Sequence, residues 1–190
     1  MTRSLQDLTD DMLAAARRAG ADGADAMAVQ GRAVSIDVRA GALEHAERAE
    51  GTDIGLRVLI GHRQACVSAS DTRDVTISEM ASRAVAMARE APEDPYVGLA
   101  QPDQLARDWD VDALELCDPS DEPAPETLQN SAVEAEAAGL AIVGVTQVQS
   151  ASAAYGAQKF HMSATNGFSA GYARTSRSIS CVAIAGTGTG

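Results

Sequence analysis

The chain has 190 residues, 45% of them apolar and 3% aromatic, with 27 acidic against 15 basic side chains and a net charge of -12. This length suits one domain or two small ones, with a core of Ala, Val, Ile, Leu and Met rather than rings. The acidity argues against direct contact with nucleic acid, and no run of about 18 apolar residues is present to span a membrane.

Residues 4–19 are expected to form a helix, because Leu5, Leu8, Met12, Ala15, Ala16 and Ala19 recur at helical spacing. Ser4 followed by Asp7 reads as a capping box, and Gly20 as the stop. From residue 24 to residue 70 the period becomes two. Val34, Ile36 and Val38 alternate with polar residues, as a half-buried strand requires. Ala26–Gln30 is expected to pair with that strand through a turn at Gly31-Arg32, and Glu50-Gly51-Thr52-Asp53 is the next turn signal. A strand over 54–60, a turn at Gly61-His62 and a strand over 65–70 complete an antiparallel meander.

The spacing of Ile77, Met80, Ala81, Ala84, Val85 and Ala88 predicts a helix over 76–91, capped by Thr76 with Glu79 and ended by Pro92. All six prolines fall between Pro92 and Pro125, so 92–124 reads as a connector that lays Tyr96, Leu99, Trp109 and Leu114 onto the domain surface. Pro125 then opens a third helix, 125–141, with Leu128, Ala132, Ala135 and Ala138 on one stripe. Four strands are expected beyond it, over 142–152, 155–164, 168–175 and 178–185, with Asn166-Gly167 as a type I′ hairpin. The end, from Gly186 to Gly190, reads as flexible and cut off.

The expected class is therefore α+β, with antiparallel meanders and about three helices. It divides into a first half (1–91), a connector (92–124) and a second half (125–190). Arg57-Val-Leu-Ile-Gly61 is echoed by Cys181-Val-Ala-Ile-Ala-Gly186, which leaves open both a helix-plus-meander duplication and two unrelated meanders.

The usual catalytic patterns are missing. The chain contains no His-Glu-x-x-His, no His-Glu-x-x-x-His, no Gly-x-Ser-x-Gly and no phosphate loop. His45, His62 and His161 stand far apart, each readable as an ordinary strand or loop residue. Cys66, Cys117 and Cys181 form no Cys-x-x-Cys pair, which suits free thiols in a reducing cytoplasm, Cys66 as a small core residue. Ser68 and Ser70 beside Asp71 would need a positioned base to act as nucleophiles, and the turn role is the simpler reading.

Several segments, taken in order, resemble the PmbA/TldE–TldD family, often called modulators of DNA gyrase. They are Ala21-Asp-Gly-Ala-Asp25, Arg39-Ala-Gly-Ala-Leu-Glu44, Gly55-Leu-Arg-Val58, Ser68-Ala-Ser70-Asp71 and 84–100 with Pro92-Glu-Asp-Pro95. Asp118-Pro119, Thr165-Asn-Gly167, Gly171-Tyr172 and Ser178-Ile-Ser-Cys181 follow. The pattern is closer to the PmbA/TldE branch, and it resembles the N-terminal domain alone, with the C-terminal domain absent. The resemblance implies a non-catalytic subunit domain, without catalytic residue, metal or cofactor of its own. Zinc would lie in a TldD-like partner that carries His-Glu-x-x-x-His, and the pair would process small unfolded peptides as a heterodimer, with other dimers also open. Arg39, Glu44 and Asn166 stand at family-like turns and are the candidate peptide contacts, against a simpler role in turn geometry. The alternatives are an acidic binding regulator of DNA gyrase and a self-sufficient hydrolase using Ser68 or Ser70.

Overall fold

The computed structural model describes residues 3–107 and 110–186. Among them are three α-helices and five strands: α1 (Leu5–Ala19), β1 (Gly23–Arg39), β2 (Ala42–Ile60), β3 (Arg63–Ala69), α2 (Asp74–Glu90), α3 (Pro125–Leu140), β4 (Val145–Ala164) and β5 (Ser169–Ala185). The strands form an antiparallel sheet in the order β3-β2-β1-β4-β5. β2 meets β3 from Ile54↔Ala69 to Ile60↔Arg63. The α+β class is as expected.

Two compact units divide the chain. One comprises Met1–Gln30, Gly51–Leu114 and Gln158–Ala173; the other comprises Gly31–Glu50, Glu115–Ala157 and Arg174–Gly190. The four long strands each lend a stretch to both. The first unit buries Leu8, Met12 and Ala16 of α1 and the whole expected α2 stripe, Ile77, Met80, Ala81, Ala84, Val85 and Ala88, against Ala24, Ala26, Ala28, Ile54, Leu56 and Val58. The second packs Leu128 and Ala132 of α3 against Val34, Ile36, Val38, Val148, Ala151, Ala153 and Tyr155. Alanine makes up half of the first core, so small volume changes are felt there.

The α1 signals hold in full. Ser4 Oγ accepts the Asp7 N–H, Asp7 returns a bond to the Ser4 N–H, and Gly20 closes the helix at φ 94°. At α2 the start differs. The helix begins at Asp74, and neither Thr76 nor Glu79 caps it; the Thr76 hydroxyl instead donates to the Asp71 carboxylate at 2.6 Å, and Asp71 also accepts the Arg73 N–H at 3.0 Å. A carboxylate just before the helix thus supplies the acceptor that the capping box would have supplied.

The expected turns at Gly31-Arg32 and at 50–53 are absent. β1 and β2 run straight through both, and neither Gly31 nor Gly51 has a positive φ. Glycine allows a reversal but does not compel one, and the buried even-numbered residues, Ala24 to Ala28 and Val34 to Val38, keep the same phase across the exposed Gln30 and Arg32, as one unbroken strand requires. The reversal falls at Ala40-Gly41, where both φ are positive (52° and 71°), the type I′ signature. The four strands expected after residue 142 are likewise two long ones, β4 and β5. Their hairpin is at the expected place, but its type is not I′. Only Gly167 has a positive φ, and Gly167 N–H donates to Ala164 C=O, closing a three-residue loop with Gly in the left-handed position.

In the connector, Tyr96 and Leu114 are 95% and 63% exposed, so they do not pack as expected; Leu99 is half-buried near Gly23, and Trp109 lies outside the described residues. Prolines deny this segment a ladder that would hold its apolar side chains in one direction. In α3, Ala135 is half-buried and Ala138 exposed, and Glu136 is the third buried residue beside Leu128 and Ala132. No helix of the described residues is long and apolar enough to cross a membrane.

Candidate functional site

Arg39 and Glu44 flank the Ala40-Gly41 hairpin and meet as an exposed ion pair, Nη1 to Oε1 at 3.4 Å. Between them the turn is held from behind. The Glu136 carboxylate, 4% exposed, accepts the Ala40 N–H on Oε1 and the Gly41 N–H on Oε2, both at 2.7 Å. Ala40 bears a Cβ in the left-handed region, a conformation worth roughly 1 kcal/mol of strain, and the paired N–H bonds hold it there. Glu136 was not legible in the sequence because its partners are backbone groups almost a hundred positions away.

Asn166 belongs to the other unit and is engaged in its own loop. Its Oδ1 accepts the Phe168 N–H at 3.1 Å, and its Nδ2 donates to Ala100 C=O at 2.9 Å. Close by, Phe160 and Tyr172 stack with centroids 4.8 Å apart, and a side chain at Gly171 would sit 2.4 Å from the Phe160 carbonyl oxygen. The Gly171-Tyr172 segment is therefore a packing requirement of the hairpin.

Among the described residues no histidine or lysine meets the serine cluster. Ser70 Oγ donates to Asp53 at 2.6 Å, and Ser68 is exposed on β3. Asp71 is held well below the usual carboxylate range, first by the hydrogen bond from the Arg73 side chain, then by those from Thr76 and the Arg73 N–H. Cys66, Cys117 and Cys181 are all exposed, which corrects the core reading of Cys66. Ala65 takes the buried side of β3, so its neighbour must face outward.

Of the histidines, His45 lies beside Glu47 on the surface, His62 sits in an exposed turn, and only His161 enters a network. Thr9, fully buried, donates its hydroxyl to Gln6 C=O at 2.8 Å. Its oxygen also meets His161 Nδ1 and Ser163 Oγ, each at 3.0 Å, and Ser163 Oγ donates onward to Ser169 Oγ at 3.3 Å. Among the described residues no three His, Cys, Asp or Glu side chains converge as a metal needs, so a zinc ion does not fit the residues present. An open groove of about 700 Å³ sets Arg3, Arg18 and Arg73 against Asp11 and Asp74; Arg3 is already paired with both carboxylates.

Arg57 and Asp25, from two of the family-like segments, meet in a half-buried pair with Nε to Oδ2 at 2.8 Å. Residues 24–88, which include both, match the PmbA/TldA metallopeptidase domain 1. Over these residues the chain is similar to the first domain of the PmbA/TldD family. The domain is similar to the metalloprotease PmbA of Escherichia coli O157:H7, at 28% identity over 166 residues, or 86% of this chain and 36% of that protein. In fold it is similar to a candidate modulator of DNA gyrase from Bacteroides thetaiotaomicron (TM-score 0.74, 16% identity, 92% of this chain and 40% of that one). It is also similar to TldE from Thermococcus kodakarensis (TM-score 0.72, 14% identity, 95% and 40%). The chain thus spans about two fifths or less of these relatives' length. The family is the one its motifs resemble.

Proposed function

We propose that this PmbA/TldD-type domain is a non-catalytic part of a cytoplasmic peptide-processing metalloprotease. In this reading it offers a sheet to unfolded peptides, and a TldD-like partner subunit carries the zinc. The observation behind it is the match to a metallopeptidase domain by a chain whose described residues bring no metal-ligating trio together. Likeness to a protein named metalloprotease PmbA over 86% of the chain points the same way. An open sheet edge suits such a role, because main-chain hydrogen bonds hold an extended peptide whatever its side chains. Arg39 and Glu44, at an exposed hairpin tip, remain the candidate contacts of this role, and Asn166 acts through its loop.

Sedimentation velocity of the chain mixed with the TldD-type subunit of the same organism tests this reading. A faster species of defined mass supports it. Two components sedimenting independently at micromolar concentration count against a partner interface here, and stoichiometric zinc with peptide cleavage by the chain alone would overturn the non-catalytic role. The gyrase reading lacks support at 14–16% identity, where likeness extends to the fold only; an unchanged supercoiling rate with added chain removes it.

A further inference from the structure

β5 ends the sheet order, and its outer side is partly taken already. Thr175 N–H donates outward to Leu116 C=O at 3.0 Å, and Asp118 N–H donates to Thr175 Oγ1 at 2.8 Å. Connector residues 116–118 therefore lie against β5 at Thr175. Gly186 N–H donates the other way, to Gly144 C=O at the head of β4, at 3.1 Å. Main-chain groups alternate sides along a strand, so odd-numbered residues face outward and even-numbered ones face β4. Beyond Thr175 the outward groups are those of Arg177, which stands near Asp118, and then Ile179, Cys181, Ala183 and Ala185.

This stretch has none of the usual edge protection. From Ser178 to Ala185 it carries no proline and no charge, and Ile179, Val182 and Ile184 are 61%, 49% and 42% exposed. The charge at its start is distinctive. In a chain of net charge -12, β5 carries Arg174 and Arg177 and no carboxylate; among the described residues neither arginine forms an ion pair within 4.0 Å, and the Arg177 charge acts on Asp118, whose pKa is lowered first by its hydrogen bond from Ser120. The segment that already sits there is acidic, Glu115-Leu-Cys-Asp118.

We propose that the outer edge of β5 from Arg177 to Ala185 takes an extended peptide of alternating apolar residues, with carboxylates toward the Arg174–Arg177 end. This peptide would continue the line that 116–118 begin. The proposal rests on the peptide-binding reading above and names its edge and the class of peptide.

The test is a fluorescence anisotropy titration of the chain with a labelled octapeptide of alternating valine and threonine ended by glutamate and aspartate. The same peptide ended by lysines serves as the comparison. Ala183→Pro removes one outward N–H and leaves the bonds to β4 intact, so it should weaken binding about tenfold with the fold retained by circular dichroism. Should it fail to fold, Arg177→Glu keeps every main-chain group. It should weaken the acidic peptide about fivefold and strengthen the lysine-ended one. Binding that neither variant changes overturns this edge and leaves the accessory-domain reading standing. Absence of binding by either peptide overturns both. A concentration-dependent dimer that Ala183→Pro abolishes, without peptide binding, assigns the edge to a second copy and overturns the proposal.

Discussion

Glu136 and Ala40 are joined by a 2.7 Å hydrogen bond from backbone N–H to a carboxylate that is itself buried in α3. With its second oxygen on the Gly41 N–H, this single side chain fastens helix to hairpin. Glu136→Ala should lower stability by about 1–2 kcal/mol, the range for charge-assisted bonds whose donors are partly wetted. Glu136→Gln should recover less than half of it, because its amide N–H₂ faces a donor. Urea midpoints at constant slope measure both.

Ala40 itself is the strained member of that turn. Ala40→Asn gives the Asn-Gly pair that a type I′ turn favours and should stabilise the chain by about 0.5–1 kcal/mol. Gly41→Ala should do the reverse. Thermal melts of the two variants, read as opposite shifts in Tm, check the turn assignment.

The Thr9 hydroxyl stands at the centre of the only buried side-chain polar network of the first unit among the described residues. Thr9→Val keeps the shape but strands His161 Nδ1 and leaves Ser163 with Ser169 alone, for an expected loss of about 1–2 kcal/mol. Thr9→Ser should restore most of it. If valine proves as stable as threonine in chemical denaturation, the network contributes nothing net.

Asp71 predicts an acid dependence. Its folded pKa is depressed below an unfolded value of about 4, so the stability it contributes is complete above that value and is lost progressively as pH falls from there toward the lower folded pKa. The stability gap between the native chain and Asp71→Asn should stay constant from neutral pH down to about 5 and shrink below about 4. The Arg73 and Thr76 bonds are the cause, so Thr76→Val should narrow the same gap.

Sequence alone carried the local decisions. The Ser4–Asp7 capping box, the α2 stripe and the hairpin near Asn166 each depend on residues within a few positions of one another, and all three stand in the structure. Tertiary structure decided where strands stop. Gly31 and Gly51 look like turns by type, yet long pairing partners keep them extended, and the chain reverses instead at Ala40-Gly41, where a helix carboxylate nearly a hundred residues away accepts both N–H groups. The same holds for function. The motifs pointed to a resemblance, but the place of β5 at the end of the sheet is a property of strand order, and Thr175 bonded to Leu116 is what shows which of its backbone groups face outward. An unpaired backbone group has no sequence signature, because every residue but proline carries one.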